Sequence, residues 1–304
     1  MRKTIFHEDW WLDIVAPDRW AEVASDRGYL RYAHTSRMMF RSSQIPPLTR
    51  IAGPVVQIDG KKMESRQRAV FSAVCELLDE LPDFDYIQFK LDPSVTDVLP
   101  FQARGYQTSV QHTFHADCRV PEPALWSEMR DKTRNIIRRA QDSLAIVDIE
   151  DADTFKNFYA DNLDNEKSYF GLYLIPEIFK AARAHGNARI VAAVDQKGDI
   201  HAQTFFIWDE HSYYYFLSSR NQSIAHAGAV SALVWAGMQH AHSLGLTFDF
   251  DGVTSQSRYQ FMVGFGGKPA TRFILSKGAL LYDAQRGARA FSNRLIGRPV
   301  ASFY

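Results

Sequence analysis

Cysteine is scarce: 304 residues carry only Cys75 and Cys118. Two are too few for a disulfide framework, and no paired-cysteine or HExxH spacing supplies a metal site. The expectations are a reducing cytoplasm and no metal. Excess charge is missing as well, since 35 Lys and Arg balance 35 Asp and Glu. No overall positive field draws the chain to nucleic acid or an anionic membrane, so any such binding must use a local patch. Long apolar runs are absent too. None reaches the roughly 18 residues of a membrane-spanning helix, and charges interrupt the start MRKTIFHEDWWLDIVAPDRW before a signal-peptide apolar region can form.

What the sequence has is core: 46% of its residues are hydrophobic and 13% aromatic, enough for one large or two medium domains. Periodicity gives alternating helices and strands. Tyr29–His34 and Met38–Arg41 read as strands, and 45–62 as a long Pro- and Gly-rich excursion. A helix over 65–81, a strand over 85–90, a short helix over 93–104 and a strand over 107–115 follow. The helix 123–141 connects the halves. The second series has a strand at 144–149, helices at 152–163 and 176–185, and strands at 188–195, 200–208 and 212–217. It ends with a helix over 224–244, a strand over 247–251, a short helix over 255–263, a strand over 270–275 and a terminal helix near 283–295.

The two series repeat one unit. A helix leads to FDYIQF, a short helix containing Phe101, the turn Arg104-Gly105-Tyr106 and the strand TSVQHTF. A second helix leads to TFDFDG, a short helix containing Phe261, the turn Phe265-Gly266-Gly267 and the strand ATRFIL. In this reading the glycines supply backbone angles for re-entering the sheet. Before the second unit, SYYYFLSSRNQSIAHAGAVSALVWAG reads as strand, loop and the start of a small-residue helix. Free N–H groups there favour an anion, which Ser218, Ser219, Arg220, Ser223 and Gly228 could help hold. Close packing of the helix on a sheet explains the small residues equally well.

That order, with LWSEMRDKTRNIIRRAQDSLAI ahead and FDFDGVTSQSRYQFMVGFGG behind, resembles the FemAB-like acyltransferases of the GNAT superfamily. The resemblance implies an α/β fold of mixed sheets, two GNAT-like domains in tandem. Domains at 1–122, completed by 284–304, and 123–283 are expected, with the donor site in the second. It also implies transfer of an acyl group to a small or peptidic amine, from acyl-CoA or, in the tRNA-dependent members, from aminoacyl-tRNA. The family's basic segment is matched by Lys132, Arg134, Ile137, Arg138, Arg139 and Ala140, and its late aspartates and glycine by Asp249, Asp251 and Gly252. Phe261, Phe265 and Gly266 match its Phe-Lys-x-x-Phe-Gly, but Met262 replaces the lysine and the GNAT pyrophosphate motif is not matched.

Amide formation needs a neutral amine, a base, donors for an oxyanion and an acid for the departing thiolate. Asp251 is the first choice of carboxylate, with Asp249 on the same strand face and Glu166 as a third. Asp251 also reads as a cap for the following helix. Tyr213 and Tyr215 are candidate acids, and Arg258 a conjectural stand-in for the missing lysine, with Tyr259 beside it. Lys132, Arg134 and Arg138 are either a phosphate site or a solvated helix face. Acyl-CoA is the preferred donor and aminoacyl-tRNA the alternative. A third reading is a binding module of the same fold without turnover. Oligomeric state and the identity of the acceptor are open.

Overall fold

The computed structural model describes residues 1–37, 40–58, 62–163, 171–224, 226–253 and 255–278. Glu166 and the expected terminal helix near 283–295 lie outside the described residues. The chain divides into two compact units, Met1–Gln111 with the chain from Thr271 onward, and His112–Ala270. The change of unit falls inside two strands, Gln107–Asp117 and Lys268–Gly278, rather than in the connecting helices. Among the described residues no helix is long and apolar enough to cross a membrane.

Unit 1 runs α1 (Asp9–Val15), β1 (Trp20–Ser25), β2 (Gly28–Ala33), β3 (Thr35–Arg37), β4 (Phe40–Ser43), β5 (Pro54–Val56), α2 (Met63–Asp79), β6 (Tyr86–Lys90) and α3 (Leu99–Gln102). β1, β2 and β5 form a small antiparallel sheet. A second sheet orders β3, β4, β6 and the last strand, β13 (Lys268–Gly278). The apolar stripe of α2, Ala73, Val74, Leu77 and Leu78, packs on Ile87, Phe89 and Leu275. Trp11 anchors α1: it is fully buried, and its indole N–H donates to Thr49 Oγ1 at 3.0 Å. Two expectations change here. The excursion 45–62 contains the buried strand β5, whose proline sits at the strand start where no ladder donor is lost. The helix expected over 93–104 shrinks to Leu99–Gln102, because Asp92 and Asp97 side chains bind the backbone of Ser94 and Leu99 in turns.

Unit 2 begins in β7 (Gln107–Asp117) and continues through α4 (Glu122–Glu128), α5 (Asp131–Gln141), β8 (Ala145–Asp148), α6 (Ala152–Asp161), α7 (Ile175–Ala184), β9 (Ala188–Val194), β10 (Ile200–Trp208) and β11 (Ser212–Arg220). It closes with α8 (Ala229–Ser243), β12 (Thr247–Gly252) and α9 (Gln256–Gly264). Its strands lie in the order β7-β12-β11-β10-β9-β8, antiparallel except for β11 and β12. The single helix expected over 123–141 is two, because Arg134 folds back to donate to the carbonyls of Trp126, Ser127 and Met129 and closes α4. The core joins α5 and α8 to one face of the sheet, with Phe206, Tyr213, Phe248 and Phe250 pointing into it. α8 lies close because Gly237 faces Phe206, where a Cβ would stand 2.5 Å from the ring.

The repeated unit is present in both halves. Gly105 and Gly266 take left-handed φ of +80° and +77°, as a helix ending of this kind requires. The same hydrogen bonds close each turn: Tyr106 N–H to Phe101 O and Gly267 N–H to Met262 O, both 3.1 Å. Met262, not Phe261, is thus the counterpart of Phe101. Both side chains are buried, so Met262, which stands where the resemblance leads one to expect a lysine, is a core residue.

Candidate active site

β11 and β12 run parallel but pair at only three positions, Ser212 with Thr247, Tyr213 with Phe248 and Tyr214 with Asp249. Beyond them the strands part. The cause is local to β12. The Asp249 carboxylate accepts the Asp251 N–H at 2.8 Å, Asp251 takes a left-handed φ of +69°, and the register against β7 shifts between Asp249 and Gly252. An aspartate tolerates this backbone better than most side chains do, at some cost in strain. On the other side of the fork, β11 bulges against β10 between the pairs Phe205–Leu217 and Phe206–Tyr215. Two neighbouring strands each lose register at the same level, and Tyr215 to Arg220 continue without β12 beside them.

Asp249 is 2% exposed, so its charge must be met inside the protein. Oδ1 accepts from the Thr113 hydroxyl and the Asp251 N–H, while Oδ2 faces His115 Nε2 at 3.3 Å. His115 stands directly opposite Asp249 in the β7–β12 register. Phe114 and Ala116 belong to the core under α8, as do Phe248 and Phe250. Thr113, His115 and Asp249 therefore project from the other face. The His115 side chain keeps about a fifth of its surface exposed. A carboxylate beside Nε2 favours the proton on that nitrogen and leaves Nδ1 with the basic lone pair. The two side chains stand at ion-pair distance, although the buried Nε2 is not aligned for a hydrogen bond to the carboxylate.

Sequence reasoning did not find His115 or Thr113. Their strand gives an alternating pattern, but only the cross-strand register brings them to Asp249.

Of the two tyrosines, Tyr213 is built into the core. It is fully buried, bonds His240 Nδ1 at 3.0 Å and stacks on Trp208 at 5.2 Å. Tyr215 is the first residue past the last β11–β12 pair. Burial raises its phenol pKa, opposed by a hydrogen bond from Ser218 and by the charge of Arg258, which places α9's arginine near β11. Ser218 also lies 3.1 Å from Thr204 Oγ1. Two groups therefore flank the fork: Asp249 and Asp251 with Thr113 and His115 on the β12 side, and Tyr215 with Ser218 and Arg258 on the β11 side, where Tyr215 packs against the α8 core.

The other expected residues stand elsewhere. Ser219 and Arg220 end β11, with Arg220 exposed, and Ser223 lies in a turn made by the Asn221 side chain. Gly228 precedes α8. Its N–H donates to His226 Nδ1 at 3.2 Å, and a Cβ there would sit 2.8 Å from Ala140 Cβ, so a packing reason for the glycine is on hand. Lys132 is exposed on α5, Arg134 is occupied with the end of α4, and Arg138 lies 5.3 Å over Trp126. Arg138 borders an open pocket of about 540 Å³ between Trp126, Trp235 and Glu122. Tyr259 is exposed and meets Phe114 edge-on at 5.6 Å.

Residues 127–260 match the family model of the acetyltransferase (GNAT) domain. No curated protein matches the chain. Among solved structures, FemX aligns over 89% of this chain and 91% of its own, at 12% identity and a TM-score of 0.68. The C-terminal domain of a putative lysylphosphatidylglycerol synthetase from Agrobacterium fabrum aligns over 94% and 95%, at 12% identity and a TM-score of 0.54. L-PGS from Bacillus licheniformis aligns over 95% and 91%, at 13% identity and a TM-score of 0.53. At these identities the likeness is one of fold.

Proposed function

We propose that this chain, whose residues 127–260 match the GNAT domain model and whose fold is like that of FemX, is a FemAB-like N-acyltransferase that forms an amide on a small or peptidic amine with acyl-CoA as donor. The observation that supports it most is the fork between β11 and β12 with the Asp249–His115 pair at its closed end. An extended thioester arm fits beside the strand edge that β12 leaves open. His115 Nδ1 takes a proton from the amine, whose nitrogen attacks the thioester carbonyl. Asp251, in the β12 bulge two residues after Asp249, holds the amine. The tetrahedral intermediate collapses as the C–S bond breaks, and the thiolate takes a proton from Tyr215, whose raised pKa keeps it protonated. The base holds the amine's proton, and the products are an amide and a free thiol. Arg258 contributes positive charge near the reacting carbonyl. A reducing cytoplasm suits Cys75 and Cys118, both buried free thiols.

The second reading, an aminoacyl-tRNA-dependent transferase, draws on the likeness to FemX and on basic α5. Against it stand the balanced charge, the burial of Met262 where that mechanism places a lysine, and the use of Arg134 within the fold. The test is calorimetric titration with coenzyme A and acetyl-CoA beside charged and uncharged tRNA at physiological salt. Saturable coenzyme A binding without tRNA binding is the expected result. Preference for charged tRNA overturns the donor, and binding to neither favours a module without turnover.

A further inference from the structure

Gln203, in β10, is completely buried, yet among the described residues neither end of its side-chain amide has a hydrogen-bond partner. Such a group opposes folding unless one donor and one acceptor are brought to it. Its place on the sheet shows from where. Ala202 and Phe206 belong to the core under α8, so Gln203 and Phe205 project from the opposite face. There Phe205 meets Phe155 of α6 and Phe179 of α7. Thr113, His115 and Asp249 project from that same face. Across the β10–β11 pair Gln203 stands opposite Ser219, and Phe205 opposite Leu217. Ser219 and Leu217 are only half-buried, so the way to Gln203 lies over β11. The Cβ atoms of Gln203 and Ser219, as direct cross-strand neighbours, are about 5 Å apart.

β11 is also the strand that the fork leaves open. Tyr214 is the last residue paired with β12, opposite Asp249. Ser219 lies five residues further along β11, one of them taken up by the bulge against β10. Four strand steps of about 3.3 Å and one strand spacing of about 4.8 Å put Ser219 about 14 Å from Asp249. A neutral amide answers Gln203 with its own N–H and C=O, whereas a carboxylate lacks the donor and an ammonium the acceptor. We propose that Gln203, with Ser219 at its edge, is a specificity-determining residue that binds an amide group of the acceptor about 14 Å from the reacting amine. The inference rests on the acyl-transfer reading of the fork and narrows its acceptor to amines that carry such a group.

The test is transfer of labelled acetyl groups from acetyl-CoA by the full chain to glycine peptide amides of increasing length, beside diaminoalkanes of matched length. Wild type is expected to favour the peptides once they reach about four residues, the extended length that spans 14 Å. Gln203→Met keeps the size of the side chain and removes both polar atoms. It should unfold at no lower denaturant concentration than the wild type, while its preference for peptide over diaminoalkane falls roughly 30-fold, the loss of two neutral hydrogen bonds, through a raised KM for the peptide. Ser219→Ala, at a half-buried position, should lose part of the same preference. The proposal is overturned if wild type acetylates both series alike, or if Gln203→Met keeps the preference. A marked loss of stability in Gln203→Met also overturns it, because the amide would then be serving the fold. Transfer to both series alike leaves the acyl-transfer reading standing. Failure to bind acetyl-CoA refutes that reading and this inference with it.

Discussion

Replacing Asp249 by Asn separates the orienting role of its charge from its role as a hydrogen-bond acceptor. Asn is nearly the same size, and its Oδ1 still accepts from the Thr113 hydroxyl and the Asp251 N–H, the two contacts that shape the β12 bulge. What changes is the atom facing His115 Nε2, now an NH₂ group in place of a carboxylate oxygen 3.3 Å away. An amide donor drives the imidazole to accept at Nε2 and to carry its proton on Nδ1, which removes the base. The stability cost is the difference between charge-assisted and neutral hydrogen bonds, about 1–2 kcal/mol. The loss in turnover is that of a general base, roughly 10²–10⁴-fold. The assay pairs chemical denaturation with transfer of labelled acetyl groups from acetyl-CoA to a panel of amines, and histidine NMR reads the tautomer. Wild-type turnover in Asp249→Asn, or a flipped tautomer without kinetic effect, refutes the assignment of the base.

Two further outcomes are expected. Asp251→Asn should leave stability within about 0.5 kcal/mol, because asparagine also accepts the left-handed backbone, while acetyl transfer falls at least tenfold; parallel loss of both would make Asp251 a structural residue. His7 is buried between Thr4 and the Gly53 carbonyl, and burial lowers its pKa from 6.5 to about 4. With the folded value below the unfolded one, the unfolded chain takes up the proton first as pH falls. Its contribution, at most about 3 kcal/mol, is full above pH 6.5 and is lost towards pH 4. An acid-unfolding curve should be flatter in that window for His7→Gln, and identical curves would refute the account.

The sequence by itself determined the element order, the repeated helix–strand–helix–turn–strand unit and the need for glycine at Gly105 and Gly266, because periodicity and left-handed turns are local properties that adjacent residues fix. It also marked Asp249 and Asp251, which share one strand, and Tyr215 on another. The breaks it missed, at β5, in α3 and between α4 and α5, arise where side chains such as Asp97 and Arg134 take backbone groups from a helix. The His115–Asp249 pair joins residues 134 positions apart. Strand register decides such meetings. A shift of one residue would turn His115 into the core and Phe114 toward Asp249, so only the packed sheet specifies which side chains share a face.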